Sequence, residues 1–479
     1  MTIVIMKFGG SCLVDNKAFN KILEITNIYK DVKKIYVASA FNGITDLLLS
    51  TAKNLKDKKL FDKNIALLEK RHLDVIEEIF DGESPQYLRT KDWVDKKLSE
   101  LEDVFEDVKE FGLENYYIDY ISSFGEILST YILSEYLRSK GYDSVYIPAN
   151  KLIITNDNYT NAYPLYELTN FRVKNKIIPL LEGKHKDFIF CLTGFIGRNK
   201  IGYTTTLGRG GSDYTATILA HSLYEVGNDK DIRVILWKDV DGLLAINPKY
   251  VREASLIRFL DYKEAKEIAT FGAKVLHPKC LEAIEINKIP LEIRNFDKPS
   301  EKINFTLISE KTDKDKIKGI STVEDSVIIT ITSGSMVDVP GVLAKIFKVM
   351  GQNKISVSLV SQSATEISTS FVVKKEDSEK ALSALNDATY FQDFFKIKAE
   401  DIAIINITGT KILDNQTKAR IFNSLDKKQI HVKALSQSSE DLTLSLVIDK
   451  EKLRDAIDGI HNDLCVWFDE NVKCDDKKD

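Results

Sequence analysis

The chain of 479 residues lacks the features that mark membrane, secreted or nucleic-acid-binding proteins. It has no run of about 18 apolar residues, the length that a membrane-spanning helix needs. Met1–Gly9 lacks the basic start and the long apolar core of a secretory signal. Lysine and arginine (67) are outnumbered by aspartate and glutamate (72), so no basic field favours nucleic acid. These absences predict a cytoplasmic protein with neither membrane nor nucleic-acid partners.

Cysteine and histidine are too few and too scattered to build a disulfide framework or a zinc site. The six histidines form no HxxH or HExxH pair, and the cysteines show no CxxC spacing. The five cysteines are Cys12, Cys191, Cys280, Cys465 and Cys474. Such usage predicts reduced thiols in a cytoplasm. We therefore expect any metal ion to arrive with a substrate.

The first 296 residues alternate short apolar runs with longer amphipathic stretches. This pattern predicts a mostly parallel sheet with helices on both faces, a three-layer α/β/α sandwich. The predicted strands are Ile3–Phe8, Lys34–Ser39, Ser144–Pro148, Phe188–Thr193, Arg233–Trp237 and Pro290–Arg294, and the predicted helices are Ala18–Tyr29, Phe124–Lys140 and Tyr214–Tyr224. The charged, amphipathic stretch at about 62–115 is interpreted as a helical insertion in this domain.

The C-terminal part contains an internal repeat. Ile355–Val373 aligns with Ile430–Ile448 without a gap at an offset of 430 − 355 = 75 residues, and both copies contain Ser-Gln-Ser. Each copy follows a strand-like and a helix-like segment, which predicts two small βαββαβ modules. We place a polar linker at 297–325, the modules at 326–398 and 399–472, and a disordered tail at 473–479.

A glycine-rich segment between an apolar strand and a helix is the strongest candidate for a ligand site. It contains six glycines between Gly194 and Gly211, followed by Ser212 and Asp213, which we place at N-cap positions. Such glycines let backbone N–H groups approach a ligand, and Arg209 can hold a carboxylate or phosphate with two bonds. The alternative is a mobile surface loop in front of a capped helix.

Three shorter motifs are ambiguous when each is taken alone. Lys7-Phe-Gly-Gly-Ser11 is suited to cradling phosphate, although a tight turn with a solvated lysine is the commoner meaning of so short a motif. Glu126, placed in the first turn of a helix, would complement the helix dipole. Lys238-Asp239 leaves the C-terminal end of a strand, where ligands of α/β proteins bind.

Together and in this order, the motifs resemble those of the aspartate kinases of the amino-acid kinase family. The string Thr205-Thr-Leu-Gly-Arg-Gly-Gly-Ser-Asp213 is highly specific, and paired ACT modules in that family correspond to the repeat. The other matching strings are Lys7–Ser11, Ser39–Asp46, Ser123–Glu126, Lys238–Gly242 and Phe271–Pro278. The resemblance implies ATP-dependent phosphorylation of the β-carboxylate of L-aspartate, with Mg²⁺ carried by ATP.

The resemblance also implies a role for individual residues. The catalytic residues would be Lys7, Asp213 and Lys238; the residues holding aspartate would be Thr45, Glu126, Arg209, Gly210, Gly211, Ser212 and Asp213; and those at the nucleotide would be Lys7, Gly9, Gly10, Lys238, Asp239, Leu244, Lys249, Lys274 and Val275. Leu244 replaces a frequent tyrosine, Lys249 replaces a frequent arginine, and Cys12 replaces a frequent serine. Since a carboxylate nucleophile is ionised at neutral pH, we expect Asp213 to orient substrate or lysine and not to abstract a proton.

The resemblance further implies feedback inhibition through the ACT modules. Ser358, Gln362 and Ser363 are the candidate effector residues, and Ser358 stands where lysine-sensitive relatives often have an acid, which favours threonine over lysine. Modules that serve only dimerisation remain an alternative. We expect a homodimer that can pair into a tetramer, and, because the sequence ends soon after the second module, the monofunctional form. The rival functions are another carboxylate-phosphorylating amino-acid kinase, such as a glutamate kinase, and a catalytically dead amino-acid sensor.

Overall fold

The chain forms two compact units in this computed structural model. The first comprises Met1–Leu243, Arg258–Lys266 and Lys274–Thr312, and the second comprises Leu244–Ile257, Glu267–Ala273 and Asp313–Asp479. The structure describes residues 2–183, 188–227, 231–251, 254–271, 275–300, 304–310, 316–391, 395–437 and 441–464. The predictions for Lys274 and for the tail at 473–479 lie outside the described residues.

The first unit is built on an eight-stranded sheet. Its strands are β1 (Ile3–Phe8), β2 (Lys33–Ala38), β3 (Ser144–Ile147), β4 (Ile189–Thr193), β7 (Ile232–Lys238), β8 (Phe259–Leu260), β9 (Leu291–Asn295) and β10 (Thr306–Ile308); β5 (Ile196–Arg198) and β6 (Thr204–Thr206) form a separate hairpin. The order is β3-β4-β2-β1-β7-β9-β10-β8. The six strands from β3 to β9 are parallel, and β10 is antiparallel to β9. The predicted mostly parallel sheet is confirmed.

Helices cover this sheet. They are α1 (Asn16–Ile28), α2 (Ile44–Lys53), α3 (Lys58–Ile79), α4 (Pro85–Phe111), α5 (Asn115–Ser139), α6 (Tyr166–Lys176), α7 (Ile178–Glu182), α8 (Gly211–Val226), α9 (Tyr262–Phe271), whose last five residues belong to the second unit, and α10 (Pro278–Glu285). The long helices α3 and α4 occupy the stretch expected as a helical insertion. Val94, Leu98, Leu101 and Phe105 recur at helical spacing along α4 and join the same buried cluster as α1 and α5. No helix in the described ranges is both long and apolar enough to cross a membrane.

The second unit contains the repeated segment as one antiparallel sheet. Its elements are β11 (Gly319–Thr332), α11 (Val342–Gln352), β12 (Leu359–Gln362), β13 (Ser368–Lys374), α12 (Ser378–Asp387), β14 (Lys396–Thr408), α13 (Asn415–Lys427), β15 (Ala434–Ser436), β16 (Thr443–Asp449) and α14 (Leu453–Leu464). The sheet order is β12-β13-β11-β14-β16-β15. Strands β13 and β16 are offset by 75 residues, as the sequence repeat predicts.

The two modules share their long strands. The first half of β11 pairs with the end of β14, and after a register shift between Val323 and Ser326 its second half pairs with the start of β14. The range 297–325, expected as a linker, therefore contains β10 and the beginning of β11. Each module therefore includes one strand segment that comes from the sequence range of the other module. A sequence repeat alone does not reveal this exchange.

Two local predictions about helix starts were wrong. Glu126 does not lie in a first turn, because α5 already begins at Asn115 and Glu126 is in its interior. Ser212 and Asp213 are not caps: Gly210 occupies the N-cap of α8 with φ 72°, and both residues lie in the first helical turn. Glycine takes that left-handed conformation without a steric cost, which moves the helix start two residues earlier than the Ser-Asp signal suggests.

Candidate active site

The parallel strands bring the candidate motifs to one edge of the first unit's sheet. Lys7 and Lys238 lie near the carboxyl ends of the adjacent strands β1 and β7, which pair in parallel register. Gly194 follows β4, and its N–H donates to the carbonyl of Ala38 at the end of β2, at 2.8 Å. Ligands of parallel α/β sheets bind outside the carboxyl ends of the strands. Motifs that are far apart in sequence therefore meet here because of strand order.

Lys7, Asp213 and Lys238 form a buried ionic cluster at this edge. Lys7 Nζ lies 2.9 Å from Asp213 Oδ1, and Lys238 Nζ lies 2.6 Å from Asp213 Oδ2. Lys7 is 6% exposed and Asp213 is 5% exposed. Asp213 also stands in the first turn of α8, where the helix dipole favours a negative charge. One carboxylate thus holds two ammonium groups at fixed positions.

The cluster shifts the pKa of each of its members. Burial alone would raise the pKa of Asp213, but the charges of Lys7 and Lys238 outweigh it and lower that pKa to about 2. The pKa of Lys7 is raised, since its contact with Asp213 overcomes the opposing effect of burial. The pKa of Lys238 is lowered by burial and by the charge of Lys7. Two lysines face a single carboxylate in the cluster, so it is suited to an anionic ligand.

The double glycine after Lys7 leaves room beside the ammonium group. A Cβ atom on Gly9 would lie 3.3 Å from Lys7 Nζ, and one on Gly10 would lie 2.8 Å from the carbonyl oxygen of Ala40. A side chain at Gly9 would fill the space beside Lys7, and one at Gly10 would clash with the backbone of Ala40. Cys12 follows in a short 3₁₀ turn, with its Sγ donating to the carbonyl of Trp237 at 3.7 Å. The departure at Cys12 is thus a buried, hydrogen-bonded thiol.

Glu126 projects from α5 as a buried carboxylate near this cluster. It is 4% exposed, and its Oε2 has no hydrogen-bond partner within the described residues. Burial raises its pKa to about 8, although the backbone N–H of Ala40 and the charge of Lys7 oppose the shift. Gly125 permits the close packing, because a Cβ there would lie 2.6 Å from the Cβ of Ala40. Burial of a carboxyl oxygen without a hydrogen-bond partner costs free energy unless a ligand supplies that partner.

The loop between β6 and α8 is fixed by backbone conformations that glycine adopts easily. Gly208 has φ 77° and Gly210 has φ 72°. A Cβ on Gly210 would lie 2.8 Å from the Cβ of His277, which caps α10 by accepting from the N–H of Lys279. Arg209 lies between the two glycines and is exposed. The loop thus presents an exposed arginine side chain from a constrained backbone.

The remaining predicted site residues lie in varied surroundings. Thr45 is half-buried in the first turn of α2, Asp239 is exposed just after β7, and Val275 is half-buried before α10. Leu244 and Lys249 belong to the second unit. Lys249 Nζ is 3.0 Å from Glu324 Oε2 there. The role of Thr45 in holding aspartate and the nucleotide-binding roles of the other four residues stay predictions.

The candidate effector residues lie at one side of the second unit's sheet. Ser358, Gln362 and Ser363 are all exposed, on or next to the edge strand β12. A cavity of about 250 Å³ in the same unit is lined by Glu267, Ser358, Leu359, Ile404, Ser436, Asp441, Thr443 and Ser445. Of the three candidates, only Ser358 contributes to this cavity.

Sequence reasoning missed Asp119, a fully buried acid on α5. It accepts hydrogen bonds from the N–H of Thr160 and from both the N–H and the hydroxyl of Thr206. Burial raises its pKa, while these hydrogen bonds oppose the shift. Asp119 precedes Glu126 by seven residues, a spacing that places both on one helix face. That periodicity was the signal by which the sequence could have revealed it.

A mostly parallel sheet with paired lysines and a glycine-rich turn at its carboxyl edge defines an α/β protein whose strand ends are suited to an anionic ligand. Residues 2–295 match the Amino acid kinase family, and residues 329–389 and 405–464 match the ACT domain. The chain therefore belongs to the amino acid kinase family.

The relatives narrow this assignment. The chain is 31% identical over 474 residues to the bifunctional aspartokinase/homoserine dehydrogenase of Buchnera aphidicola, covering 96% of this chain but only 56% of that relative. It is 31% identical over 375 residues to the lysine-sensitive aspartokinase 3 of Escherichia coli, covering 76% of this chain and 77% of the relative. Within its family, the chain groups with the aspartokinases that have C-terminal ACT domains.

Solved structures agree with this grouping. E. coli aspartokinase III in complex with aspartate and ADP superposes with a TM-score of 0.79 at 25% identity, covering 97% of this chain and all of that one. The same enzyme with lysine and aspartate gives a TM-score of 0.78 at 25% identity, covering 96% and 99%. The expected fold, a kinase domain followed by ACT modules, is confirmed.

Proposed function

We propose that this chain is an aspartate kinase, which transfers the γ-phosphoryl group of Mg-ATP to the β-carboxylate of L-aspartate. The observation that carries the proposal is the buried Lys7–Asp213–Lys238 cluster at the carboxyl edge of the sheet. The likeness to an aspartokinase III that was solved with the substrate aspartate and the product ADP supports aspartate and an adenine nucleotide as the ligands. Paired lysines next to glycines are suited to the charge of a transferring phosphoryl group.

In the proposed reaction, a β-carboxylate oxygen attacks the γ-phosphorus, and the bond from that phosphorus to the β,γ-bridging oxygen breaks, releasing ADP. Negative charge spreads over the oxygens of the transferring group. Lys7 and Lys238 would neutralise it, while Asp213 holds the two ammonium groups in place. Mg²⁺ arrives with ATP and contributes further charge neutralisation. Catalysis then consists of positioning and electrostatic stabilisation.

The substrate itself explains the other charged groups. Arg209 is suited to the α-carboxylate of aspartate because its guanidinium group is exposed and can form two parallel bonds. Glu126 is suited to the α-ammonium group because its buried Oε2 is unpaired in the described part of the chain. The reacting β-carboxylate has a pKa near 4 in free aspartate, so it needs no general base.

The test is a hydroxamate assay with Mg-ATP and L-aspartate. Wild type should form aspartyl hydroxamate, and Lys7→Ala should reduce kcat by at least about a hundredfold, since removal of one electrostatic donor typically costs that much. Lys70→Ala is the matched control, because Lys70 is exposed and pairs with Asp74 on the surface of α3. Loss of activity in the control alone, or full activity in Lys7→Ala, would contradict the assigned role.

The same assay separates the two rival functions. Hydroxamate formed from glutamate and not from aspartate would indicate the rival amino-acid kinase. No product from either substrate, with retained binding of an end-product amino acid, would indicate the dead sensor. The intact ionic cluster and the grouping with aspartokinases favour the catalytic proposal.

We also propose that an amino acid regulates the enzyme by feedback, with threonine favoured over lysine. The relatives include a lysine-sensitive aspartokinase, and aspartokinase III was solved with lysine. Here the polar cavity of the second unit is lined by Ser358, Asp441 and Glu267, so acidic side chains border it. Position 358 itself is a serine and not an acid, and this is the reason to favour threonine, the smaller of the two effectors.

Inhibition of the hydroxamate reaction by threonine or lysine tests this preference. Wild type should respond at a lower concentration of threonine, and Ser358→Asp should gain sensitivity to lysine because it adds a counter-ion for the side-chain ammonium group. Thr365→Asp, in the exposed turn that follows β12, is the control for added charge. Stronger inhibition of wild type by lysine would reverse the preference, and insensitivity to both would favour modules that serve only dimerisation.

The proposal includes a cytoplasmic homodimer formed through the ACT modules, which can pair into a tetramer. Strand β12 ends the sheet at one side, with Val360 and Ile367 each about two-fifths exposed on or near it. Such an edge offers unpaired backbone groups to a second copy. Light scattering should give at least twice the mass of 54.3 kDa, and a monomer at micromolar concentration would refute it.

A further inference from the structure

We propose that Asp119 is a positioning residue, which fixes the loop 207–210 and the first turn of α8 relative to the helix that presents Glu126. The proposal rests on the proposed function for its link to aspartate, but its structural part stands on hydrogen bonds alone. Asp119 is fully buried, and none of its described contacts is with Lys7 or Lys238.

The carboxylate of Asp119 joins three separate segments. Its Oδ1 accepts from the N–H of Thr160 at 2.9 Å and from the hydroxyl of Thr206 at 2.8 Å. Its Oδ2 accepts from the N–H of Thr160 at 3.0 Å and from the N–H of Thr206 at 2.8 Å. Hydrogen bonds to an ionised acceptor are about twice as strong as neutral ones. The side chain thus connects α5, the turn at Thr160 and strand β6.

The turn at Thr160 is strained and needs this support. Thr160 has φ 65°, a left-handed conformation that is costly for a β-branched residue. The next residue, Asn161, lies against the loop: a Cβ on Gly208 would be 2.6 Å from Asn161 Oδ1. The N–H of Ala162 donates to the carbonyl of Thr206 at 2.8 Å, which ties the turn to β6. Release of Thr160 would therefore free the surface on which Gly208 packs.

Both ends of this connection point to the proposed aspartate site. Thr206 is separated from Arg209 by only Leu207 and Gly208, so its position sets where the loop begins. Glu126 follows Asp119 by seven residues, about two turns or 10 Å along α5 on the same face. One buried carboxylate therefore fixes the distance between the proposed partners of the substrate's two charged groups.

Asp119→Asn tests the proposal with little change in size. At Oδ2 an amide nitrogen would face only N–H donors, and at Oδ1 it would still oppose the N–H of Thr160, so either orientation loses hydrogen bonds. Thr206→Val removes the hydroxyl contact alone and is the milder second variant, with Thr206→Ser as its partner that retains the hydroxyl. Ser134→Ala is the matched control, since Ser134 on α5 also makes a buried hydrogen bond, to Ser144.

Two readouts separate this inference from the proposed function. In hydrogen exchange of the free enzyme, Asp119→Asn should speed exchange of the amides at 206–213 by about tenfold, and Ser134→Ala should not. In the hydroxamate assay, Asp119→Asn should raise KM for aspartate at least tenfold, with KM for ATP within about twofold. Thr206→Val should shift both readouts in the same direction by less, and Thr206→Ser should restore them.

Unchanged exchange at 206–213 in Asp119→Asn would overturn the inference whatever the activity. A loss of thermal stability with both KM values unchanged would also overturn it, because it would show a merely structural role. If wild type forms no aspartyl hydroxamate while Asp119→Asn still loosens the loop, the proposed function fails and the positioning role of Asp119 stands.

Discussion

Glu126 should release a proton when aspartate binds. In the free protein its pKa is raised to about 8, mainly because the side chain is buried. An ammonium group placed against its unpaired Oε2 would favour the ionised form. Binding at neutral pH should therefore be coupled to ionisation of this carboxyl group, and Glu126→Gln removes the coupling while keeping the size of the side chain.

The magnitude follows from the pKa. At pH 7 about one Glu126 in ten is ionised in the free protein, so saturating aspartate should release about 0.9 proton per site. At pH 8 the release should fall to about half a proton, and the apparent Kd should be about fivefold lower than at pH 7. Lys7 is the charged neighbour that opposes the shift, and its raised pKa keeps it protonated throughout this range.

Isothermal titration calorimetry with aspartate, repeated in buffers of different ionisation enthalpy, measures the proton count directly. Glu126→Gln should bind more weakly, release no proton and lose the pH dependence between pH 7 and pH 8. A proton release near zero in wild type would refute the reasoning, since it would mean that Glu126 is already ionised or does not meet the ammonium group. An equal release in Glu126→Gln would assign the proton to another group.

Two further predictions concern the ionic cluster and the packing beneath it. The ordinary pKa of the Asp213 carboxyl group is 3.8, and its lowered pKa in the folded protein stabilises the fold by about 2.5 kcal/mol at pH values above 3.8. This contribution is lost as the pH falls towards 2. Asp213→Asn should therefore cost about 3 kcal/mol in chemical unfolding at pH 7 and much less near pH 2; a cost independent of pH would contradict this. Gly125→Ala should lower both the melting temperature and the affinity for aspartate, because its Cβ would lie 2.6 Å from that of Ala40. Gly351→Ala, in α11 with nothing within 4 Å, is the control and should be neutral or stabilising, while a stabilised Gly125→Ala would refute the packing argument.

Much of the fold follows from local sequence patterns. The predicted strands of the first unit agree with the observed ones within about two residues, because a buried parallel strand needs a continuous apolar run and turns at both ends. The repeat at 75 residues likewise matches β13 and β16. Helix starts were less predictable. Helix α5 begins eleven residues before Glu126, and this first part is stabilised by packing, without a side-chain cap that the sequence could have indicated.

The candidate site shows the same division. Composition and motif order indicated which residue types would act, because phosphoryl transfer to a carboxylate needs cations and glycines, with no histidine cluster. Only the tertiary structure placed Lys7, Lys238 and Asp213 within 3 Å contacts, since strand order decides which distant segments meet. It also decided the raised pKa of Glu126 and the connecting role of Asp119, because burial and hydrogen bonding depend on neighbours that are far away along the chain.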